Sequence, residues 1–242
     1  MRYFIEFAYK GTAYHGSQVQ PNGVTVQQVL EQAMFTVLRT PVALTFAGRT
    51  DAGVHAEQMF AHFDLETQPP TPDRLNRLLP DDIAVYDIRP VADDLHARFS
   101  ATGRTYEYRI STRKSPFSRQ TRTYVPSLLD YTAMNEAARY LLGTHDFASF
   151  CKVHTDVKTT ICTVTEAQWR TDNEGAVFTI TADRFLRNMV RAVVGTLLEV
   201  GRHKLSPQQF EVIILSRSRQ AAGQSAPPEG LFLTHVSYPE QT

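Results

Sequence analysis

Apolar and polar residues alternate along Arg2–Lys10, with Tyr3, Ile5, Phe7 and Tyr9 on one side, the period of a half-buried strand. After the turn-forming PNGV, Thr25 and Gln28 have capping-box spacing and open a helix. Its Val26, Val29, Leu30, Ala33, Met34, Val37 and Leu38 form one apolar stripe, and Pro41 ends it. Strands are predicted at Val42–Phe46 and Glu57–Leu65. Thr71 and Pro72 begin a short helix carrying Leu75, Leu78 and Leu79, and Ile83–Val91 alternates as a further strand. The order is β-α-β-β-α-β, a ferredoxin-like unit.

The second half repeats the order. Arg104–Ser111 is a strand with Tyr106, Tyr108 and Ile110 alternating. A helix runs from its cap Asp130 to a stop at Gly143, with Met134, Ala137, Ala138, Leu141 and Leu142 facing inward. Thr159–Thr171 and Ala176–Phe185 flank the turn DNEG as a hairpin. A long helix is predicted from about Arg184 to Val200, another begins at Ser206, and Gly230–Tyr238 closes as a strand. The fold class is therefore α+β. Two tandem ferredoxin-like halves, residues 1–98 and 99–242, are expected to join their sheets into one mixed, largely antiparallel sheet flanked by helices. An active-site cleft is expected between them.

Composition changes little. A chain of 242 residues, 42% hydrophobic and 21% charged, is an ordinary globular protein. No apolar run approaches a membrane span and no signal peptide is recognised ahead of MRYFIEFAYK, so a cytoplasmic protein without a membrane partner is expected. Cys151 and Cys162 lack zinc-ligand spacing, and the histidines show no metal-ligand motif. Charge alters the picture more. The total is zero, yet Arg98, Arg104, Arg109, Arg113, Lys114, Arg119 and Arg122 face only Glu107 in their stretch. A neutral chain can thus hide a basic face. On the predicted long helix, Arg184, Arg187, Asn188 and Arg191 would share a stripe beside the buried one, suited to phosphates or to a buried carboxylate, or simply to solvent.

The sharpest feature is FAGRTDAGVHAEQMF, residues 46–60, which sets Arg49 and Asp51 between two glycines at a turn. Gly48 and Gly53 are expected to supply unusual backbone angles. Alone, such an aspartate often caps its own turn. Here GRTDAGVHA resembles the catalytic motif of the TruA family of tRNA pseudouridine synthases. YKGTAYHGSQ, HARFSA, RTYEYRI, FLRNMVR and APPEGLFL follow that family's order across nearly the whole chain.

The resemblance implies an enzyme that isomerises uridine to pseudouridine in the anticodon stem-loop of tRNA, at positions 38 to 40. It implies no metal, redox group or other cofactor, and a homodimer as the working form. Asp51 matches the family's nucleophile. Arg49 matches the residue that holds the extruded nucleotide, Tyr106 the tyrosine that stacks on uracil, and Arg191 the arginine that pairs with the catalytic aspartate. Tyr108 reads as core and His55 as a structural donor within the turn. The family's usual Gly-Trp-Gln is here Gly16, Ser17, Gln18, which puts packing or RNA contact beside the first strand in question. A synthase of this family with another RNA target and a non-catalytic RNA-binding protein of the same fold are the alternatives. The joint presence of Asp51, Arg49, Tyr106 and Arg191 speaks against the latter, since binding alone does not require that aspartate.

Overall fold

The computed structural model describes residues 1–152 and 158–239. By its contacts the chain divides into two units: Met1–Thr102 with Phe232–Thr242, and Gly103–Leu231.

In the first unit, β1 (Arg2–Tyr9), α1 (Val26–Leu38), β2 (Thr45–Phe46), β3 (His55–Asp64), α2 (Pro72–Asn76) and β4 (Ile83–Val91) follow the predicted order. β1 pairs antiparallel with both β3 and β4, and β2 with β3, giving the ferredoxin-like order β4-β1-β3-β2. The expected capping box is present, with Thr25 and Gln28 each taking the other's backbone N–H. Of the predicted stripe, Val26, Leu30, Ala33 and Met34 are buried, as are Ile5 and Phe7 of β1. The strand expected over Val42–Phe46 shrinks to two residues. Side chains of α1 take the backbone of Leu44 instead: Glu31 accepts its N–H and Gln27 donates to its carbonyl.

The second unit holds β5 (Gly103–Ser111), β6 (Thr123–Tyr124), α3 (Tyr131–Arg139), β7 (Gly143–Asp146), β8 (Ile161–Thr171), β9 (Gly175–Ala182), α4 (Met189–Gly201) and α5 (Pro207–Ser216). β5, β9, β8 and β7 pair antiparallel in that order, and β6 adds to β5 in parallel. Asp130 caps α3 and a Ser206–Gln209 capping box starts α5, as predicted. β6 and β7 were not predicted: both are short and polar, with no alternation to show them.

The last strand, β10 (Leu231–Ser237), pairs parallel with β3 at Phe232–His55 and Leu233–Ala56. The compact units therefore differ from a division at residue 98, because the C-terminal strand returns to the first. Both units are mixed α+β with mainly antiparallel sheets.

The helix expected from Arg184 starts five residues later. The backbone before it is committed elsewhere. Asp183 N–H donates to the Thr163 carbonyl, and its Oδ1 accepts from the N–H groups of Thr163 and Arg184. The Arg187 carbonyl accepts from Lys152, and Asn188 is left-handed at φ 67°. Arg184, Arg187, Asn188 and Arg191 therefore do not form a helical stripe; only Arg191 lies in α4.

Candidate active site

Asp51 sits in the loop between β2 and β3, half-buried. Its carbonyl accepts from Val54 N–H at 3.2 Å, closing a turn whose third residue, Gly53, has φ 79°. A type II turn requires such an angle there, and glycine takes it without strain. Gly48 departs from expectation. It has no positive φ, and a Cβ there would meet nothing within 4 Å.

Three contacts fix the loop from the side of β1. Thr50 is buried, its N–H donates to Ser17 Oγ at 2.9 Å, and its carbonyl accepts from Ser17 N–H at 3.2 Å. Its hydroxyl bonds the Tyr9 hydroxyl at 2.8 Å. Beyond the turn, Gly11 packs so close to Val54 that a Cβ would lie 1.9 Å from the Val54 carbonyl oxygen. Ser17, where the family usually has tryptophan, is fully buried. It is thus a clamp on the residue before Asp51 rather than an exposed surface position.

His55 is structural, packed and bonded beside the loop. Its Nδ1 takes the Gly11 N–H at 3.0 Å, so the ring proton belongs on Nε2, and the ring stacks on Phe232 at 4.5 Å. Arg49 is exposed, and its Nε donates to Gln18 Oε1. The first unit thus presents Arg49 outward and Asp51 from a loop gripped on both sides.

The HARFSA stretch folds as a turn in the same unit. His96 Nδ1 accepts from the N–H groups of Arg98 and Phe99, and its ring lies 4.5 Å from that of buried His62. Burial first, then the Arg2 and His96 charges, push His62 down to about 4. A neutral His62 lets its Nδ1 accept the Ala97 N–H at 3.1 Å.

In the second unit Tyr106 and Tyr108 point to the same face of β5, two residues apart. Tyr106 is half-buried and meets the Phe185 ring edge-on at 5.1 Å. Tyr108 is core as predicted, fully buried, bonded to the Thr123 hydroxyl at 2.6 Å and donating to the Pro227 carbonyl at 2.8 Å. Burial raises its ionisation above the usual phenol range. Arg191, in the first turn of α4, donates from Nε to the Ala226 carbonyl at 2.7 Å, and Ala226 N–H returns a bond to the Arg191 carbonyl at 2.8 Å. Tyr108 and Arg191 thus hold consecutive carbonyls of the APPEG segment.

That segment is strapped along α4. Gly223 N–H donates to Thr196 Oγ1, Asn188 donates to Ser225 Oγ, and a Cβ on Gly195 would lie 1.8 Å from the Gln224 carbonyl oxygen. The motif APPEGLFL does not by itself reveal that it holds Arg191. The available signal was a glycine inside an apolar helix, which marks close backbone approach.

Among the described residues no group of three His, Cys, Asp or Glu side chains could hold a metal ion, and no helix is long and apolar enough to cross a membrane.

An aspartate held in a fixed loop of a ferredoxin-like unit, within GRTDAGVHA, points to the class already suggested by the motifs. Comparison with known proteins agrees. A family model described as tRNA pseudouridine synthase matches residues 137–239. tRNA pseudouridine synthase A of Bacteroides thetaiotaomicron is 58% identical over 246 residues, covering 99% of this chain and 91% of that protein. The protein of that name from Bacteroides fragilis is 56% identical, covering 99% and 97%. The one from Bacillus licheniformis is 43% identical, covering 98% and 99%. The chain belongs to the tRNA pseudouridine synthase A (TruA) family.

Proposed function

We propose that the chain isomerises uridine to pseudouridine in the anticodon stem-loop of tRNA, at positions 38 to 40, with Asp51 starting the reaction. The observation that carries this reading is the way Asp51 is presented. Within GRTDAGVHA, the residue before Asp51, Thr50, is clamped by Ser17 and Tyr9, while the Asp51 carbonyl closes a Gly53 turn. A main chain held in this way supports reading the Asp51 carboxylate as a nucleophile or base. Near full-length identity to proteins named tRNA pseudouridine synthase A supports the same conclusion.

In the reaction the C1′–N1 bond breaks, the base turns, and a C1′–C5 bond forms. The C5 proton leaves and N1 is protonated, so no redox group or cofactor is consumed. Asp51 starts this by adding to the ring, by attacking the sugar or by removing a ribose proton. Arg49, exposed on the same loop, holds the extruded nucleotide, offsetting the few kcal/mol that unstacking costs. Tyr106 stacks on uracil and its hydroxyl assists proton removal at C5; Arg191 supplies the positive charge for the catalytic carboxylate. Asp51 belongs to the first ferredoxin-like half and the other two to the second, drawn at residues 1–98 and 99–242. The working form is a cytoplasmic homodimer.

Unmodified tRNA transcripts incubated with the protein and mapped at nucleotide resolution test this. Pseudouridine at positions 38 to 40 is the expected result. Modification at other positions would transfer the activity to another target, and no modification would refute the reading.

A further inference from the structure

The basic stretch found in the sequence resolves into two kinds of residue in the second unit. Arg104, Arg109 and Arg122 are engaged: Arg104 with the Asp183 carbonyl, Arg109 with Glu107, and Arg122 with Asp172, Glu174 and the Ile110 carbonyl. Arg113, Lys114 and Arg119 are exposed, and residues 112–121 contain no acid. At the tip between them, Phe117 is 97% exposed.

An isolated exposed apolar residue needs no explanation. What sets Phe117 apart is that the loop beneath it is fixed. The carbonyl of buried Ser118 accepts from Thr121 and Arg122, Phe117 N–H donates to Ser115 Oγ, and Thr112 N–H donates to the Glu174 carbonyl. Arg122 binds the base of the loop to the β8–β9 turn. The backbone on either side of the aromatic is thus ordered before any partner arrives.

We propose that residues 112–122 form an RNA-contacting arm, in which Arg113, Lys114 and Arg119 meet phosphates and the Phe117 ring stacks on an unpaired base. Three cations without an acid, around a single flat apolar ring, complement a polyanion that carries flat apolar faces. A protein partner fits less well, since the centres of protein interfaces are depleted of charge and lysine is disfavoured in them. This inference rests on the tRNA reading above and adds a place on the molecule where the RNA is held.

The test titrates unmodified tRNA transcript against the full-length protein over a salt series, with pseudouridine yield and oligomeric state measured on the same preparations. Phe117→Ala is expected to bind about tenfold more weakly, the scale of one base stacked on an aromatic ring, with an unchanged melting temperature. Phe117→Trp should restore affinity. Replacing Arg113, Lys114 and Arg119 together by alanine should lower the salt slope by about two to three. Wild-type affinity and salt slope in these variants, while the wild-type protein binds and modifies tRNA, would overturn the arm alone. Loss of self-association by Phe117→Ala with tRNA affinity intact would overturn it in favour of a protein contact. A wild-type protein that neither binds nor modifies tRNA would overturn the functional reading and the arm with it.

Discussion

The loop that carries Asp51 and the segment that leads to Arg191 hold their functional side chains by different means. In the first the grip falls on the neighbours of Asp51: Ser17 and Tyr9, 33 and 41 residues away, bond Thr50, and Gly11 presses on Val54. In the second the grip falls on the side chain itself, over a similar distance in sequence. Arg191 is tied to Ala226, 35 residues on, and the chain around Ala226 lies along α4 through Gly195, Thr196 and Asn188. Both devices join segments far apart in the sequence, so their connections appear only in three dimensions.

The strongest way to break each device is to add one carbon. Gly11→Ala would drive a Cβ to 1.9 Å from the Val54 carbonyl oxygen, and Gly195→Ala to 1.8 Å from that of Gln224. Both obstacles are backbone, so neither can swing aside, and each variant is expected to lose about 3 kcal/mol or more. Hydrogen exchange would separate them: faster exchange should centre on residues 47–54 for Gly11→Ala and on 222–226 for Gly195→Ala. Unchanged protection of 222–226 in Gly195→Ala would show that the strap does not depend on this approach.

Acid sharpens the contrast between the units. His62 belongs to the first unit and its folded value, about 4, lies below the ordinary 6.5. Between those values the unfolded chain holds a proton that the folded chain rejects, so stability is full above about pH 6.5 and declines as pH falls toward 4. The full shift corresponds to a loss on the order of 3 kcal/mol. Below that window both states are protonated and this contribution stops changing. Urea unfolding at pH 7.5 and 4.5 would measure it, and His62→Asn should flatten the difference. In the second unit, burial raises Tyr108 above the phenol range and Cys162 to about 12. Both stay protonated throughout this range and add no acid dependence.

The smallest effect expected is that of Ser17→Ala, which deprives the buried Thr50 N–H of its acceptor at a cost of about 1–3 kcal/mol. Denaturant titration and pseudouridine yield should fall together. A fully active, fully stable Ser17→Ala protein would show that the clamp is dispensable. Ser17→Trp, which would restore the family's usual residue, has no room at a fully buried site and should disrupt the loop.

Much of this was legible in the sequence because local chemistry and tertiary structure agree. The alternation of β1, the capping boxes at Thr25 and Ser206, the Asp130 cap and the DNEG hairpin all appear where the pattern put them. Two departures share one cause. α4 starts late because Asp183 and Arg187 give their backbone groups to Thr163 and Lys152, and β2 is short because α1 takes the backbone of Leu44. In each case a partner distant in sequence claims groups that periodicity assigns locally. His55 shows the same limit on a smaller scale: a structural histidine was legible, but its partner Gly11, 44 residues away, was not.

The central claim is that the fixed loop exists to present the carboxylate of Asp51, and Asp51→Asn tests it most directly. Asparagine keeps the shape of aspartate and serves equally in turns, and the bond that closes the Gly53 turn is made by the main-chain carbonyl. Melting temperature and tRNA affinity should therefore stay near wild type while pseudouridine formation on unmodified tRNA falls below detection. A well-folded Asp51→Asn protein that still forms pseudouridine at an appreciable rate would contradict the account.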